Sequence, residues 1–199
     1  MNINIGIDID ATINDARKYE YEQVLKLCNK NHIDFNYDET KIKITDAFGL
    51  PPNLANDVNN RLFKSVVKQC PTKQFAPEVI RGLCNKGNKI FIITARDPDY
   101  IGNPLYNCED VITDTYQWFS NNKIPYHDII FKCHGIKDRI CKENKIDVMI
   151  DDDPENIIKV SKSGIPVIIM EESYNKYLYG YPNTKYAYNW IDVMNYLSV

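Results

Sequence analysis

The sequence predicts an α/β fold, with a mainly parallel sheet, helices on both faces and a small helical insert after the first strand. Three observations predict it. Short apolar runs recur along the 199 residues and alternate with stretches of helical spacing. The runs are near-continuous, as in strands buried on both faces. The regular alternation starts only near residue 76, so the stretch behind the first run lacks βαβ rhythm.

The first run, Ile3-Asn4-Ile5-Gly6-Ile7, leads into Asp8-Ile9-Asp10-Ala11-Thr12. It reads as a buried strand that presents acids at its carboxyl tip, the edge where ligands sit in open α/β sheets. Strand geometry puts Asp8 and Asp10 on one side, and the chain is expected to leave the strand at Asp10. Asp15 to Lys30 reads as a helix with Val24, Leu27 and Cys28 on one face. Ile42 and Ile44 suggest a short extended piece, ended by Pro51-Pro52. Asn56 to Lys68 reads as a helix with Val58, Leu62, Phe63 and Val66 inward. A lid over a site would be useful at this place in the chain.

The alternation then runs to the C-terminus. Pro77 opens a helix that Gly87 closes, and Lys89 to Thr94 is a second strand. The loop Ala95 to Asn107 follows, then a helix from Asp110 to about Asn122 carrying Trp118 and Phe119. Asp128 to Phe131 is a third strand and Lys137 to Asn144 a short helix. Ile146 to Ile150 is a fourth strand and runs into Asp151-Asp152-Asp153. Pro154 opens the next helix with Asp153 as its cap, and Pro166 to Met170 is a fifth strand. The tyrosine-rich tail from Tyr174 to Tyr188 reads as surface loop, and Trp190 to Leu197 as a closing helix.

Composition narrows the function classes. The net charge of −3 gives no electrostatic case for polymeric nucleic acid or a membrane surface. No apolar run approaches the roughly 20 residues of a membrane span, and the acid-bearing N-terminus is not a signal peptide. Six cysteines without CxxC spacing suit reduced thiols and a cytoplasmic protein. Cys133, His134 and Cys141 do not fit standard zinc spacings, and read as small buried hydrophobes beside a surface histidine. The histidines at 32, 127 and 134 have no evident catalytic partner.

Four strand ends then converge on one edge. The first carries Asp8 and Asp10, the second Thr94, the fourth Asp151 and Asp152, and Lys137 opens the helix between the third and fourth. Crowded carboxylates repel unless a cation sits between them, and Mg2+ takes oxygen ligands of this kind. Phosphate meets both halves of the set: metal and lysine neutralise its charge, and threonine donates to it. An aspartate can also act as nucleophile and form an aspartyl-phosphate. Arg96 suits either a substrate phosphate or a nearby acid. Trp118 reads as core. Phe48, Phe63 and Phe75 suit packing of the insert more than stacking on a base.

Asp8-Ile9-Asp10-Ala11-Thr12, Ile93-Thr94, a downstream lysine and Ile150-Asp151-Asp152 resemble the four motifs of the haloacid dehalogenase superfamily, in order and spacing along nearly the whole chain. Ile93-Thr94-Ala95-Arg96-Asp97, Trp118, Ile124-Pro125-Tyr126 and the Ile-Asp-Asp ending resemble its 5′(3′)-deoxyribonucleotidase-type branch, with the bacterial nucleotidase-like members. The resemblance implies a Rossmann-like core from residues 1–14 and 76–199, and a mostly helical cap from residues 15–75. It implies a Mg2+-dependent phosphomonoesterase, with Asp8 as nucleophile and Asp10 as acid and base. The backbone carbonyl of Asp10, the Asp152 carboxylate and a nearby Asp151 would complete the metal site with Asp8. Thr94, Lys137 and Arg96 would meet the phosphoryl group, with Lys132 as the second choice for the lysine. Ala11 departs from the motif, which often has glycine there.

The expected substrate is a (deoxy)nucleoside monophosphate. Another small phosphorylated metabolite and a non-catalytic phosphate- or metal-binding module are the alternatives. Oligomeric state stays open, a homodimer included.

Overall fold

A computed structural model describes residues 2–97 and 108–198. Six strands form one sheet: β1 (Asn4–Ile7), β2 (Lys89–Ile93), β3 (Asp128–Ile130), β4 (Val148–Asp151), β5 (Val167–Met170) and β6 (Thr184–Ala187). Their order is β3-β2-β1-β4-β5-β6 and every pairing is parallel. The chain winds outward from β1 through β2 to β3, then returns to the other side of β1 with β4. That reversal puts a crevice between the carboxyl ends of β1 and β4.

Helices cover both faces because the strands are apolar on both. One face buries Ile5, Ile7 and Ile9 against Val79, Ile80, Leu83, Phe119 and Trp190. These come from α4 (Ala76–Asn85), α5 (Cys108–Asn121) and α8 (Trp190–Leu197). The other face buries Ile93, Met149 and Ile169 against Cys141, Ile157 and Val160, from α6 (Lys137–Glu143) and α7 (Pro154–Lys162). Asp153 caps α7, accepting hydrogen bonds from the backbone N–H groups of Glu155 and Asn156 at 2.9 and 3.1 Å. Gly6 pairs with Met149 across the β1–β4 boundary. A Cβ there would lie 2.8 Å from the Met149 sulfur and 3.1 Å from Ile93, so only glycine fits without displacement.

Between β1 and α4 the chain builds a helical layer: α1 (Ala16–Lys30), α2 (Ile44–Ala47) and α3 (Pro52–Gln69). The three share an apolar cluster of Val24, Cys28, Ile44, Phe48, Val58 and Leu62. An antiparallel bridge between Asn14 and Thr72 joins the strands of chain that enter and leave this layer. Its far end docks on α5, where Val67 meets Val111 and the Trp118 indole donates to the Cys70 carbonyl at 2.7 Å.

The structure corrects five expectations. β1 ends at Ile7, so the chain leaves strand geometry before Asp8 rather than at Asp10. Ile44 starts a helical turn instead of an extended piece, because Ile44 and Phe48 bury against α1 and α3. Pro52 stands inside the first turn of α3, where its missing N–H costs nothing. The tyrosine-rich tail holds a 3₁₀ helix (Ser173–Leu178) and the sixth strand. Phe75 is exposed and sits at the start of α4, away from the cluster that Phe48 helps to build. Most of the Ala95–Asn107 loop lies outside the described residues.

Candidate active site

The site forms where β1 and β4 end side by side. The Asp8 backbone N–H donates to the Ile150 carbonyl at 3.0 Å, which locks the two acid-bearing tips together. Lys137, the first residue of α6, is 2% exposed and reaches under both tips. Its ammonium donates to Asp8 Oδ1 at 2.5 Å and to Asp151 Oδ2 at 2.8 Å. Lys132 takes a different place: its ammonium lies 4.0 Å from Asp97 and is about half exposed.

Asp8, Asp151 and Asp152 each offer a carboxylate oxygen, and the three oxygens lie within 4.8 Å of one another. Among the described residues this is the only such group. Burial pushes the Asp8 carboxyl up to about 7, with the Asp151 and Asp10 charges adding to the rise and Lys137 opposing it. Burial and the charges of Asp8 and Asp151 push Asp152 well above the ordinary carboxylate range. Burial also raises Asp151, against the pull of Lys137. Three carboxylates thus face one ammonium, whose own proton is held tightly by Asp151 and Asp8 against the cost of burial. That deficit of positive charge, with an all-oxygen donor set, fits a hard divalent cation.

Asp152 is oriented from behind by Thr12, the last residue of the first motif, and by two residues outside the motifs. Thr12 Oγ1 donates to its Oδ1 at 2.7 Å, and the Tyr174 hydroxyl donates to its Oδ2 at 2.5 Å. Asn175 Nδ2 donates to its backbone carbonyl at 2.8 Å. Thr12 is itself fixed by Trp190, whose indole donates to the Thr12 carbonyl at 3.0 Å. The sequence pattern places Tyr174 in a surface tail. The 3₁₀ turn folds back over β4 and buries it against Asp152, a contact that depends on tertiary structure and leaves no local signal.

Asp10 stands apart from the triad. Arg96 clasps it with two hydrogen bonds, Nε to Oδ2 at 3.0 Å and Nη2 to Oδ1 at 2.8 Å. Asn14 Nδ2 adds a third at 2.8 Å. Burial opposes its charge, but Arg96 and Asn14 outweigh that and hold the Asp10 carboxyl below its ordinary range. The third Arg96 nitrogen, Nη1, donates to Thr115 Oγ1 at 3.0 Å. The arginine therefore pairs with an acid in this structure. Thr94 is buried at the tip of β2, and its hydroxyl oxygen accepts from the Arg96 backbone N–H at 3.1 Å.

Ala11 follows Asp10 with φ of +59°, in the left-handed region. Its N–H donates to Asn14 Oδ1 at 2.9 Å, which stabilises a turn that glycine would enter without strain.

Two cavities open onto these groups. The smaller, about 210 Å³, is lined by Asp8, Asp10, Arg17, Lys137, Asp152 and Tyr174, among others. The larger, about 470 Å³, lies between the sheet edge and the helical layer, where Ile44, Leu62, Phe63 and Val66 give an apolar wall and Asn59 and Asn60 supply amides. Arg17 braces the layer from within, its guanidinium donating to the carbonyls of Glu39, Lys41 and Ile42, and lies 5.5 Å from the centre of the Tyr174 ring. No helix among the described residues is long and apolar enough to cross a membrane.

Comparison with known proteins agrees with this geometry. The profile of the family described as 5′ nucleotidase, deoxy (pyrimidine), cytosolic type C protein (NT5C) matches residues 2–199. A nucleotidase of Clostridium acetobutylicum is 26% identical over 194 residues, covering 96% of this chain and 91% of its own. A haloacid dehalogenase-like hydrolase of Streptococcus pneumoniae has the same fold, with a TM-score of 0.66, 12% identity and 98% coverage of each chain. CbbY of Rhodobacter sphaeroides, solved with phosphate, has a TM-score of 0.57 at 11% identity and covers 97% of this chain and 96% of its own. The chain belongs to the 5′ nucleotidase, deoxy (pyrimidine), cytosolic type C family, and its fold is that of the solved haloacid dehalogenase-like hydrolase.

Proposed function

We propose that this phosphatase hydrolyses (deoxy)nucleoside monophosphates through an aspartyl-phosphate on Asp8, with Mg2+ bound at the acid triad. The observation that carries the reading is the Lys137 ammonium held between Asp8 and Asp151 at the mouth of a cleft. It leaves Asp8 oriented and buried beside a cavity sized for a phosphoryl group, with Asp10 across it.

In the first step an Asp8 oxygen bonds to phosphorus and the ester P–O bond breaks, its electron pair leaving on the ester oxygen. Asp10 gives that oxygen a proton. Arg96 holds Asp10 as a carboxylate in the free site, so the negative charge of an arriving phosphoryl group is what draws a proton onto it. In the second step Asp10 takes a proton from water, the water oxygen bonds to phosphorus, and the bond to Asp8 breaks. Lys137 balances the charge that Asp8 regains. Thr94 lies at the same edge and is assigned to the phosphoryl oxygens, whereas Arg96, committed to Asp10 and Thr115, acts on the site by holding Asp10. Asp8, Asp151, Asp152 and the Asp10 carbonyl would hold the divalent ion, which supplies Lewis-acid neutralisation of the phosphate charge.

The nucleotide assignment rests on the family and on the larger cavity, whose apolar wall and two amides suit a nucleobase. By its length and position the layer of residues 15–75 is assigned as a cap that sets specificity. The test is phosphate release from nucleoside monophosphates and sugar phosphates, with Mg2+ and with chelator, for wild type and Asp8→Asn. The expected result is metal-dependent release from nucleotides and at least about 1000-fold less from the variant. Wild-type rates in the variant, or rates indifferent to chelator, overturn the mechanism.

A further inference from the structure

Four residues line both cavities and so mark the waist between them: Asp10, Glu20, Ile42 and Ala95. The side chains of Ile42 and Ala95 are apolar. Asp10 already accepts three hydrogen bonds, from Arg96 and Asn14. Glu20, on α1, is the other polar side chain at the waist. Arg17 lies one turn earlier on the same helix, but its guanidinium is committed to the Glu39, Lys41 and Ile42 carbonyls. What acts on Glu20 is burial and the like charge of Asp10, with only the weaker attraction of Arg17 against them, and its carboxyl is pushed up to about 7. No described side chain donates to the half-buried Glu20 carboxyl, and its oxygens stay open to both cavities, where a ligand hydroxyl can reach them.

The position says which part of the ligand that is. The phosphoryl group sits against Asp8 in the smaller cavity, and the leaving group extends into the larger one. The atoms that follow the scissile ester oxygen must pass the waist. A carboxylate accepts from a hydroxyl there and repels a second anion. We propose that Glu20 determines specificity in this cleft. It hydrogen-bonds a hydroxyl on the leaving group close to the scissile ester, and it turns away monoesters with another anionic group at that place. In a nucleoside 5′-monophosphate the matching donor is the sugar 3′-hydroxyl. The inference rests on the phosphomonoesterase reading and adds to it the group that reads the leaving alcohol.

The test uses substrates that differ only by the hydroxyl: thymidine 5′-monophosphate against its 3′-deoxy analogue, and 1,2-propanediol 1-phosphate against n-propyl phosphate. p-Nitrophenyl phosphate, which has no such hydroxyl, serves as the reference monoester. kcat/KM is measured with Mg2+ for wild type, Glu20→Gln and Glu20→Leu. Wild type should favour a hydroxyl-bearing member by about 10- to 100-fold in at least one pair. Glu20→Leu should bring that ratio to near one, and Glu20→Gln should fall between. A wild-type ratio near one in both pairs overturns the proposal. So does a Glu20→Leu variant that keeps the wild-type ratio, or one in which both members and p-nitrophenyl phosphate fall by the same factor. Failure of wild type to hydrolyse any of the five monoesters overturns the phosphomonoesterase reading itself, and the Glu20 assignment falls with it.

Discussion

Replacing Lys137 by methionine removes the only ammonium from the acid cluster while keeping much of the side chain's length and apolar contact. The lysine is almost wholly buried, and its Nζ contacts Asp8 and Asp151 at 2.5 and 2.8 Å. Breaking a buried ion pair from one side costs about 3–5 kcal/mol, because the remaining charge is left without compensation. Here two carboxylates lose their partner, but protonation limits the cost. Asp8 already titrates at about 7 with the lysine present, and losing the lysine moves it higher. Its folded pKa, already above the unfolded one, then rises further, so the added penalty is absent at low pH and grows as pH rises through and beyond about 7. At about 2–4 °C per kcal/mol for a chain of this size, the unfolding midpoint should drop by about 6–20 °C near pH 8. Near pH 6 the drop should be smaller. Excess Mg2+ should recover part of the loss, since a cation that binds the folded site stabilises it by mass action. Circular dichroism melts at both pH values, with chelator and with Mg2+, read all three effects. A variant that melts within about 2 °C of wild type in chelator near pH 8 would refute the charge-balance argument.

Three further outcomes are expected. Tyr174→Phe removes the donor behind Asp152 and should weaken Mg2+ binding by about 10- to 100-fold in a calorimetric titration; an unaltered affinity would show that the tyrosine does not orient the ligand. Glu20→Gln should stabilise the protein near pH 8 by roughly 1–3 kcal/mol in urea unfolding, because the wild-type carboxyl is raised from 4.5 to about 7 on folding and its penalty grows as pH rises through that window. The gain should vanish below about pH 4.5, and a gain that is flat with pH would contradict the burial argument. Ala11→Gly should leave stability within about 0.5 kcal/mol of wild type, since relief of left-handed strain offsets the extra freedom of the unfolded chain; a loss above about 2 kcal/mol would mean the Ala11 methyl packs more tightly than its φ suggests.

The parts of this site that could be read from the sequence are those fixed by strand ends. Asp8 and Asp151 each end an apolar run, and two such runs in a parallel sheet bring their tips to one edge. Lys137 could be placed because it opens a helix between the third and fourth strands, and the structure puts its ammonium between those acids. Arg96 could not be resolved, because a guanidinium serves a phosphate and a carboxylate equally well. Tyr174 and Glu20 were illegible for another reason. Each reaches the cleft from an element whose own pattern says nothing about it, Tyr174 from a turn in an aromatic tail and Glu20 from the polar side of α1. β6 was hidden because four residues among tyrosines carry too little alternation to stand out from loop. α2 was missed because one helical turn offers no period to detect.

Gly6 has a consequence for the chemistry, although it touches no part of the cleft. It faces Met149 across the junction of β1 and β4, and each of the two residues stands two positions before an acid, Asp8 just past the end of β1 and Asp151 at the end of β4. The bare backbone at position 6 therefore works as a gauge block between the carboxylate-bearing tips. A methyl group there would meet the Met149 sulfur at 2.8 Å, and either that side chain or the strands themselves would have to move. Reacting groups need to be held to within about 0.5 Å, so tenths of an ångström at this junction are enough to detune the spacing. A single hydrogen in the floor of the sheet thus helps to set the reach between two acids on its rim.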